Sequence, residues 1–475
     1  MIKSHKLIIL LFFTLQHTLA QSTNDNLDKQ NNLKADSITI ILNDSALNHF
    51  FEKLYLLEKG EINRVNIVHI GNSHTQAGFL TGEIRNNLQH KFGNAGRGLI
   101  FPYKVANSNS PRDVYSFSNV NWDGFRNVHY RNKPNIGISG FLIETCDSNA
   151  ILKISLNPKD NLHYHFNKIK FFHPIGDEYF DIYVSGAKER DILEETTIRI
   201  EDVFYTVRSG DYLGKIAKKF KTSVGNIKQL NGLKGNLIYT GQELIVKKKE
   251  VKISEVPKDA FYDLKFIRSN DSTCTEITLD TLADYVFLRN IKSNKEQKKM
   301  QWDGIMLENT FNTGILYHMI GVNGAMYDDY NNTDRFFDQL PYLNPDLIIV
   351  SLGTNETFED NVKIYNDIQR FHKKIRIIDK DIPLIIWTPP DSEKKPNEVR
   401  LIADSLILFS ERNKIPYFDL YNILGGEGSF IELKKKKMTS NDKIHFRANG
   451  YKMQGKLFSN ALLKAYKRYK KRIDE

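Results

Sequence analysis

Between positions 43 and 60, NDSALNHFFEKLYLLEKG, apolar residues recur at helical spacing behind an Asn-Asp-Ser start and ahead of a glycine stop. The next run, VNIVHI at 65–70, is almost continuously apolar, and FLTGEIRNNLQHKFG at 79–93 returns to the helical period with a terminal glycine. The same grammar reappears only near the carboxyl end. There, DLIIVSLG (346–353) reads as a buried strand, NVKIYNDIQRFHKKIRII (361–378) as an amphipathic helix and PLIIWTPP (383–390) as another strand. A helical stretch over 397–412, a short strand PYFDLY (416–421) and a terminal helix from Asn449 complete the series. Continuous apolar strands alternating with helices predict an α/β domain, a parallel sheet covered on both faces.

That domain is expected in two parts, 41–105 and 301–475, separated by a β-rich insertion over 106–300. Within the insertion the period shortens to two: AILKISL (150–156), KIKFFH (168–173), YFDIYVSG (179–186) and FYDLKFI (261–267) alternate as antiparallel strands do. Residues 1–20 stand apart. Lys3 and Lys6 precede the apolar run LIILLFFTL (7–15), and TLA (18–20) ends on a small residue, the order of a secretory signal. The run is too short for the roughly 20 residues that a membrane span needs, so no transmembrane segment is expected. No cysteine near the cleavage point suggests a lipid anchor. Polar residues 21–40 read as a flexible leader.

Composition changes this picture little. The 475 residues carry a formal charge of +10, concentrated in KKK (247–249), KKKK (434–437) and AYKRYKKR (465–472). These runs lack aromatics spaced for base stacking, and an exported chain has little access to nucleic acid, so solvated faces are expected and no nucleic-acid partner. Cys146 and Cys274 fall in the same middle region and could pair or stay free. His163 and His165 share one face of an expected strand, but without a third ligand nearby they make no metal site. No metal or cofactor is expected.

A small module lies inside the insertion. YTVRSGDYLGKIAKKFKTSVGNIKQLNGLKGNLIYTGQELIV (205–246) offers a first strand, a helix from Tyr212 to Phe220, a second helix within 223–232 and a return strand. It resembles a LysM domain over its whole length, with domain limits of 203–248 and Thr240 where the usual pattern has proline. The resemblance implies binding to chains that contain N-acetylglucosamine. It places the groove between Gly210, Asp211, Tyr212 and Leu213 on one side and Asn236, Leu237, Ile238 and Tyr239 on the other.

Four separated segments of the α/β domain carry candidate chemistry: GNSHTQ (71–76), HMIGVNGA (318–325), SLGTNE (351–356) and DKIHFRANGY (442–451). In this order they resemble the blocks of the SGNH (GDSL-type) hydrolases, which implies a flavodoxin-like, three-layer fold. The family pattern makes Ser73 the nucleophile, His445 its base and Asp442 the group that orients the imidazole. A serine hydroxyl needs such a base to attack an ester. The same pattern assigns the oxyanion donors to the N–H of Ser73, the N–H of Gly324 (with Gly321 as runner-up) and the amide of Asn355. Asn72 replaces the usual aspartate of the first block, a change expected to alter local hydrogen bonds more than mechanism. His74 is not expected to be the base, because neighbours on a turn point apart.

An exported serine esterase with its own glycan-binding module points to an esterified polymer of N-acetylglucosamine. The layout, with FGNAGRGLIFPY (92–103) leading into a carbohydrate-binding-like insertion, resembles bacterial peptidoglycan O-acetylesterases. The expected function is therefore removal of O-acetyl groups from cell-wall glycan, in the periplasm or outside the cell. Alternatives are an esterase or acyltransferase on another exported glycan, and a non-catalytic peptidoglycan-binding protein.

Overall fold

The computed structural model describes residues 40–128, 134–156, 164–187, 195–255, 265–266 and 272–475. The signal-like segment, almost all of the leader, His163 and most of the strand expected at 261–267 lie outside the described residues. The chain divides into two compact units, residues 187–264 and the remainder.

The larger unit is built on five parallel strands: β1 (Arg64–Gly71), β2 (Gly314–Gly321), β3 (Leu347–Ser351), β4 (Leu384–Trp387) and β5 (Tyr417–Phe418). Their spatial order is β2-β1-β3-β4-β5, the flavodoxin-like order in which ligands bind beyond the carboxyl ends of the strands. Gly71 pairs with Gly321 on one side and Ser351 on the other, so three of the four sequence blocks end at one sheet edge. Alternate residues point to opposite faces. Val65, Ile67, Tyr317, Ile349 and Trp387 pack beneath α1 (Asn48–Lys59), α3 (Phe79–Phe92) and α6 (Ala448–Asp474). Val68, Ile70, Ile320, Val350 and Ile386 face α4 (Asn361–Ile378), α5 (Pro396–Arg412) and the β insertion. The helix α2 (Ser73–Gln76) lies between β1 and α3. Gly455 lets α6 approach α3: a Cβ there would lie 2.7 Å from the carbonyl oxygen of Leu80.

The insertion forms antiparallel sheets and extends beyond its expected limits. Gly98–Ile100 pairs with Gly304–Glu308, which pairs in turn with Phe166–Phe172, so the β region runs from 98 to 308 rather than 106 to 300. The reason is a continuous core. Phe101, Phe141, Ile169 and Ile305 of this region bury with Val68 and Ile70 of β1, so one apolar core crosses the expected boundary. Cys146 and Cys274 are both free, and burial pushes the Cys274 thiol up to about 12. His165 is hydrogen-bonded to Asp284.

In the smaller unit the strand Glu195–Thr206 pairs antiparallel with Glu243–Glu255, and two helices, Leu213–Phe220 and Val224–Leu230, lie between them in sequence. Ser223 caps the second helix by accepting the N–H of Asn226 at 3.0 Å. Val207, Leu213, Ile216, Ala217, Ile227, Leu244 and Val246 form its core. No helix among the described residues is long and apolar enough to cross a membrane.

Candidate active site

The first block folds as a tight strand-to-helix turn. Asn72 caps α2: its side-chain oxygen accepts the N–H of His74 at 3.1 Å, and its carbonyl accepts from Thr75 Oγ1 at 2.7 Å. Asparagine thus performs the capping for which the usual aspartate carboxylate would also serve. Its Nδ2 has no hydrogen-bond partner among the described residues. The turn needs small residues beneath it. A Cβ on Gly71 would sit 2.5 Å from Thr75 Oγ1 and 2.7 Å from Ser351 Oγ, and one on Gly321 would sit 2.6 Å from the amide nitrogen of Gln76. Gly321 therefore serves close packing of the second block against the Ser73 turn.

The fourth block brings its histidine back to this turn. Asp442 Oδ1 accepts the N–H groups of Ile444 (3.0 Å) and His445 (2.9 Å), while Lys443 takes a left-handed φ of 70°. The other carboxylate oxygen meets His445 Nδ1 at 2.9 Å, and His445 Nε2 lies 2.8 Å from Ser73 Oγ. Partial burial opposes ionisation of Asp442. The N–H groups of His445 and Ile444, with the imidazole, outweigh it and hold the carboxyl below its usual range. Asp442 is thus an ionised acceptor at neutral pH, which puts the Nδ1 proton of His445 on its side and leaves Nε2 free to accept the serine proton.

Gly324 lies in the turn after β2 with φ +88°, a conformation that favours glycine. The Asn355 amide donates one of its hydrogens to the carbonyl of Ala325 at 3.0 Å, tying the third block to the second. That bond leaves the second amide hydrogen for another acceptor.

Several residues that the motifs did not single out hold these blocks together. Gln76 accepts the N–H of Asn323 (2.7 Å) and donates to Ser108 Oγ and the Asn109 carbonyl, both at 2.9 Å. His69 bridges Tyr317 Oη (2.6 Å) and Ser351 Oγ (2.8 Å), and burial lowers its pKa to about 3. Tyr330 donates to the carbonyl of Gly71 at 2.8 Å. Glu356 accepts the N–H groups of Tyr327 (3.0 Å) and Asn355 (3.1 Å), and burial pushes its carboxyl up to about 7. The sequence carried one signal for them: Gln76 and Glu356 lie inside the first and third blocks. His69 and Tyr330 gave none.

His74 differs from expectation in direction. It is not hydrogen-bonded to Ser73; its Nδ1 pairs with Tyr451 Oη at 2.9 Å. Its ring does not point away from the site, however, and packs 5.2 Å from the His445 ring, because the short helix turns it inward. Burial, then the neighbouring His445, lowers its pKa to about 3, so a neutral ring packs against His445.

In the smaller unit, Tyr212, Leu237 and Tyr239 are about two-thirds exposed, while Gly210 and Asn236 are exposed and Ile238 is half-buried. Asp211 is occupied within the domain, accepting from Tyr205 Oη (2.7 Å) and the Arg208 N–H (3.0 Å) and pairing with Lys215. Leu213 corrects the sequence expectation: its side chain is buried in the domain core, because it begins the first helix on the inward face.

Residues 205–247 match the family model of the LysM domain and constitute such a domain. Over 47 residues, 10% of this chain, the sequence is 53% identical to an autolysin of Enterococcus faecalis (strain ATCC 700802 / V583), covering 6% of that protein. Over 67 residues, 14% of this chain, it is 43% identical to cell wall-binding protein YocH of Bacillus subtilis (strain 168), covering 22% of it. The chain thus spans less than a quarter of either relative. A solved peptidoglycan O-acetylesterase structure aligns with a TM-score of 0.58 over 88% of this chain and 96% of that one, at 18% identity. The two share a fold.

Proposed function

We propose that this protein is an exported serine esterase that removes O-acetyl groups from a cell-wall glycan, peptidoglycan before others. The observation that carries the reading is the unbroken relay from Ser73 Oγ to His445 Nε2 and from His445 Nδ1 to Asp442. It sits at the carboxyl edge of the sheet, where folds of this order bind ligands.

In this mechanism His445 takes the Ser73 proton as Oγ attacks the acetyl carbon. The negative charge that develops on the carbonyl oxygen is met by the N–H of Ser73, the N–H of Gly324 and the Asn355 amide, each donor worth about 3 kcal/mol. Collapse expels the sugar alkoxide, which leaves as a hydroxyl with the proton from His445, and the acetyl group stays on Ser73. Water, deprotonated by His445, then attacks the acyl-enzyme; acetate departs and the proton returns to Ser73. Asp442 orients the ring and stabilises the imidazolium at both stages.

The LysM domain supplies the second half of the reading. Attachment to glycan chains raises the local concentration of esters without changing the chemistry. The name of one matched relative, cell wall-binding protein YocH, supports a wall-associated location, in the periplasm or outside the cell.

Acetate release from O-acetylated peptidoglycan tests the proposal, comparing the native protein with Ser73→Ala. Release that the substitution abolishes supports it. Activity confined to other acetylated glycans would transfer the esterase to another substrate, and wall binding without any acetate release would leave a binding protein. Deleting 203–248 should weaken binding to insoluble wall and spare turnover of a soluble ester; equal loss of both would sink the targeting role.

A further inference from the structure

The turn that follows β2 is held from outside the parallel sheet, by a residue of the β insertion. Val322 to Ala325 close on themselves, with the Ala325 N–H donating to the Val322 carbonyl at 3.0 Å. The third residue, Gly324, has φ +88°, while Asn323 before it is not among the residues of positive φ. That combination is a type II turn. Types I and II differ by roughly a half-turn of the central peptide, here the unit that joins Asn323 to Gly324. Whatever holds this peptide decides where the Gly324 N–H points.

The rest of the turn is tied to the other sequence blocks. Gln76 accepts the N–H of Asn323 at 2.7 Å, the Val322 N–H donates to the Gly71 carbonyl at 3.3 Å, and Asn355 donates to the Ala325 carbonyl at 3.0 Å. The Gly324 N–H has no acceptor among the described residues. The carbonyl of the same peptide does have a partner: Arg126 Nη1 donates to the Asn323 oxygen at 3.3 Å, across 197 positions of chain. Arg126 ends the strand Asp123–Arg126 and pairs there with Phe141, a buried residue. Two further contacts press this region on the turn. A Cβ on Gly324 would lie 3.4 Å from Val128 Cγ1, and one on Gly140 would lie 2.4 Å from Val322 Cγ2. Arg126 has no ion pair among the described residues, so the Asn323 carbonyl faces a cation that no carboxylate offsets.

The C=O and N–H of a trans peptide point in opposite directions. With its oxygen on Arg126, the 323–324 peptide projects its N–H away from the insertion strand. A charged donor makes a hydrogen bond about twice as strong as a neutral one, and density drawn toward the oxygen makes the N–H of that unit a better donor. The same bond opposes the half-turn that would withdraw the N–H.

We propose that Arg126 is a positioning residue for acyl transfer: from the β insertion it fixes and polarises the peptide whose N–H meets the oxyanion. The catalytic consequence rests on the esterase reading with Gly324 as a donor; the hold on the peptide does not. The insertion thereby takes part in setting the oxyanion site.

Two readouts on the full chain test this. They compare the native protein with Arg126→Met, which keeps an apolar stem and removes the donors, and with Arg126→Lys, which keeps a cationic donor. For 4-nitrophenyl acetate, Arg126→Met should lower kcat about tenfold with KM nearly unchanged, because the oxyanion forms only in the transition state. Arg126→Lys should recover most of that loss, and both variants should melt as the native protein does, since the side chain is exposed. Selective 13C-Asn/15N-Gly labelling reads the Gly324 amide itself. Its resonances should move upfield in Arg126→Met and return toward native in Arg126→Lys. A Gly324 amide unmoved by Arg126→Met overturns the proposal. So does a native kcat, or a rise in KM with kcat intact, which would make Arg126 a substrate contact. Absence of ester hydrolysis by the native protein would instead remove the esterase reading, and the amide resonance would still decide whether Arg126 holds the peptide.

Discussion

The two units of this molecule build their sites in opposite ways. In the LysM domain the groove residues that the family pattern assigns run from Gly210 to Tyr239, within one short stretch of chain and on two adjoining loops. In the α/β unit Ser73 and His445 are 372 positions apart, and their meeting depends on a five-stranded sheet, an inserted β region and a terminal helix. Among the described residues, the small domain has seven buried apolar residues for a core and leaves Tyr212, Leu237 and Tyr239 outside. The large unit buries polar groups as well, and uses them as struts: His69, Gln76, Glu356 and Tyr330 each join one sequence block to another element. A local site tolerates a minimal core. A site assembled from distant segments needs polar cross-links, and these make its host sensitive to conditions that the small domain ignores.

Acid should separate the units most strongly. His69, His74 and His318 are buried with pKa values lowered to about 3 from 6.5, chiefly by burial. Folded-state values below the unfolded one mean stability present above pH 6.5 and lost as pH falls toward 3, on the order of several kcal/mol in sum. The LysM unit contains no histidine, and the Asp211 carboxyl is held down to about 2 by the Arg208 N–H and Tyr205. Unfolding followed separately in each unit should therefore show the α/β unit failing first between pH 6 and 4; simultaneous loss would break the comparison.

Asp442→Asn should lower kcat by roughly 10²–10³-fold by disturbing the tautomer and orientation of His445, without changing retention on insoluble wall. A variant with native turnover would remove Asp442 from the relay. Leu213→Ala should cost the LysM domain about 2–3 kcal/mol, the usual consequence of truncating a core leucine. Differential melting should show that loss in the small unit alone, and a variant that lost only glycan affinity at full stability would restore Leu213 to the groove. The smallest expected effect is that of Glu356→Gln. Replacing one of two accepting oxygens by a donor loosens the Asn355 loop, so kcat should fall about tenfold with KM nearly unchanged. A rise in KM alone would make Glu356 a substrate-binding rather than a positioning residue.

The periodic signals were legible because they are local. Predicted helices at 43–60, 79–93, 361–378 and 397–412 correspond to α1, α3, α4 and α5 within a few residues, and the glycine stops at Gly60 and Gly93 carry positive φ. The insertion boundaries were less legible. Gly98–Ile100 is a strand because it pairs with Gly304–Glu308 across about 200 positions, and Gly304–Glu308 pairs on its other side with Phe166–Phe172. The direction of the His74 ring was illegible for a related reason, since adjacency in sequence says little about where a ring points once a four-residue helix intervenes.

By itself the sequence determined which residue types stand at the ends of strands and in what order, and the family resemblance assigned Ser73, Gly324, Asn355, Asp442 and His445 from that order. It also determined the LysM domain, whose contacts are nearly all short in range. Only tertiary structure decided that Ser73 Oγ and His445 Nε2 lie 2.8 Å apart, that Asn72 caps α2, and that Leu213 belongs to a core. It alone brought the Arg126 guanidinium to the Asn323 carbonyl. The physical reason is that period and turn chemistry are properties of neighbouring residues, whereas burial and long-range hydrogen bonds exist only once distant segments share a surface.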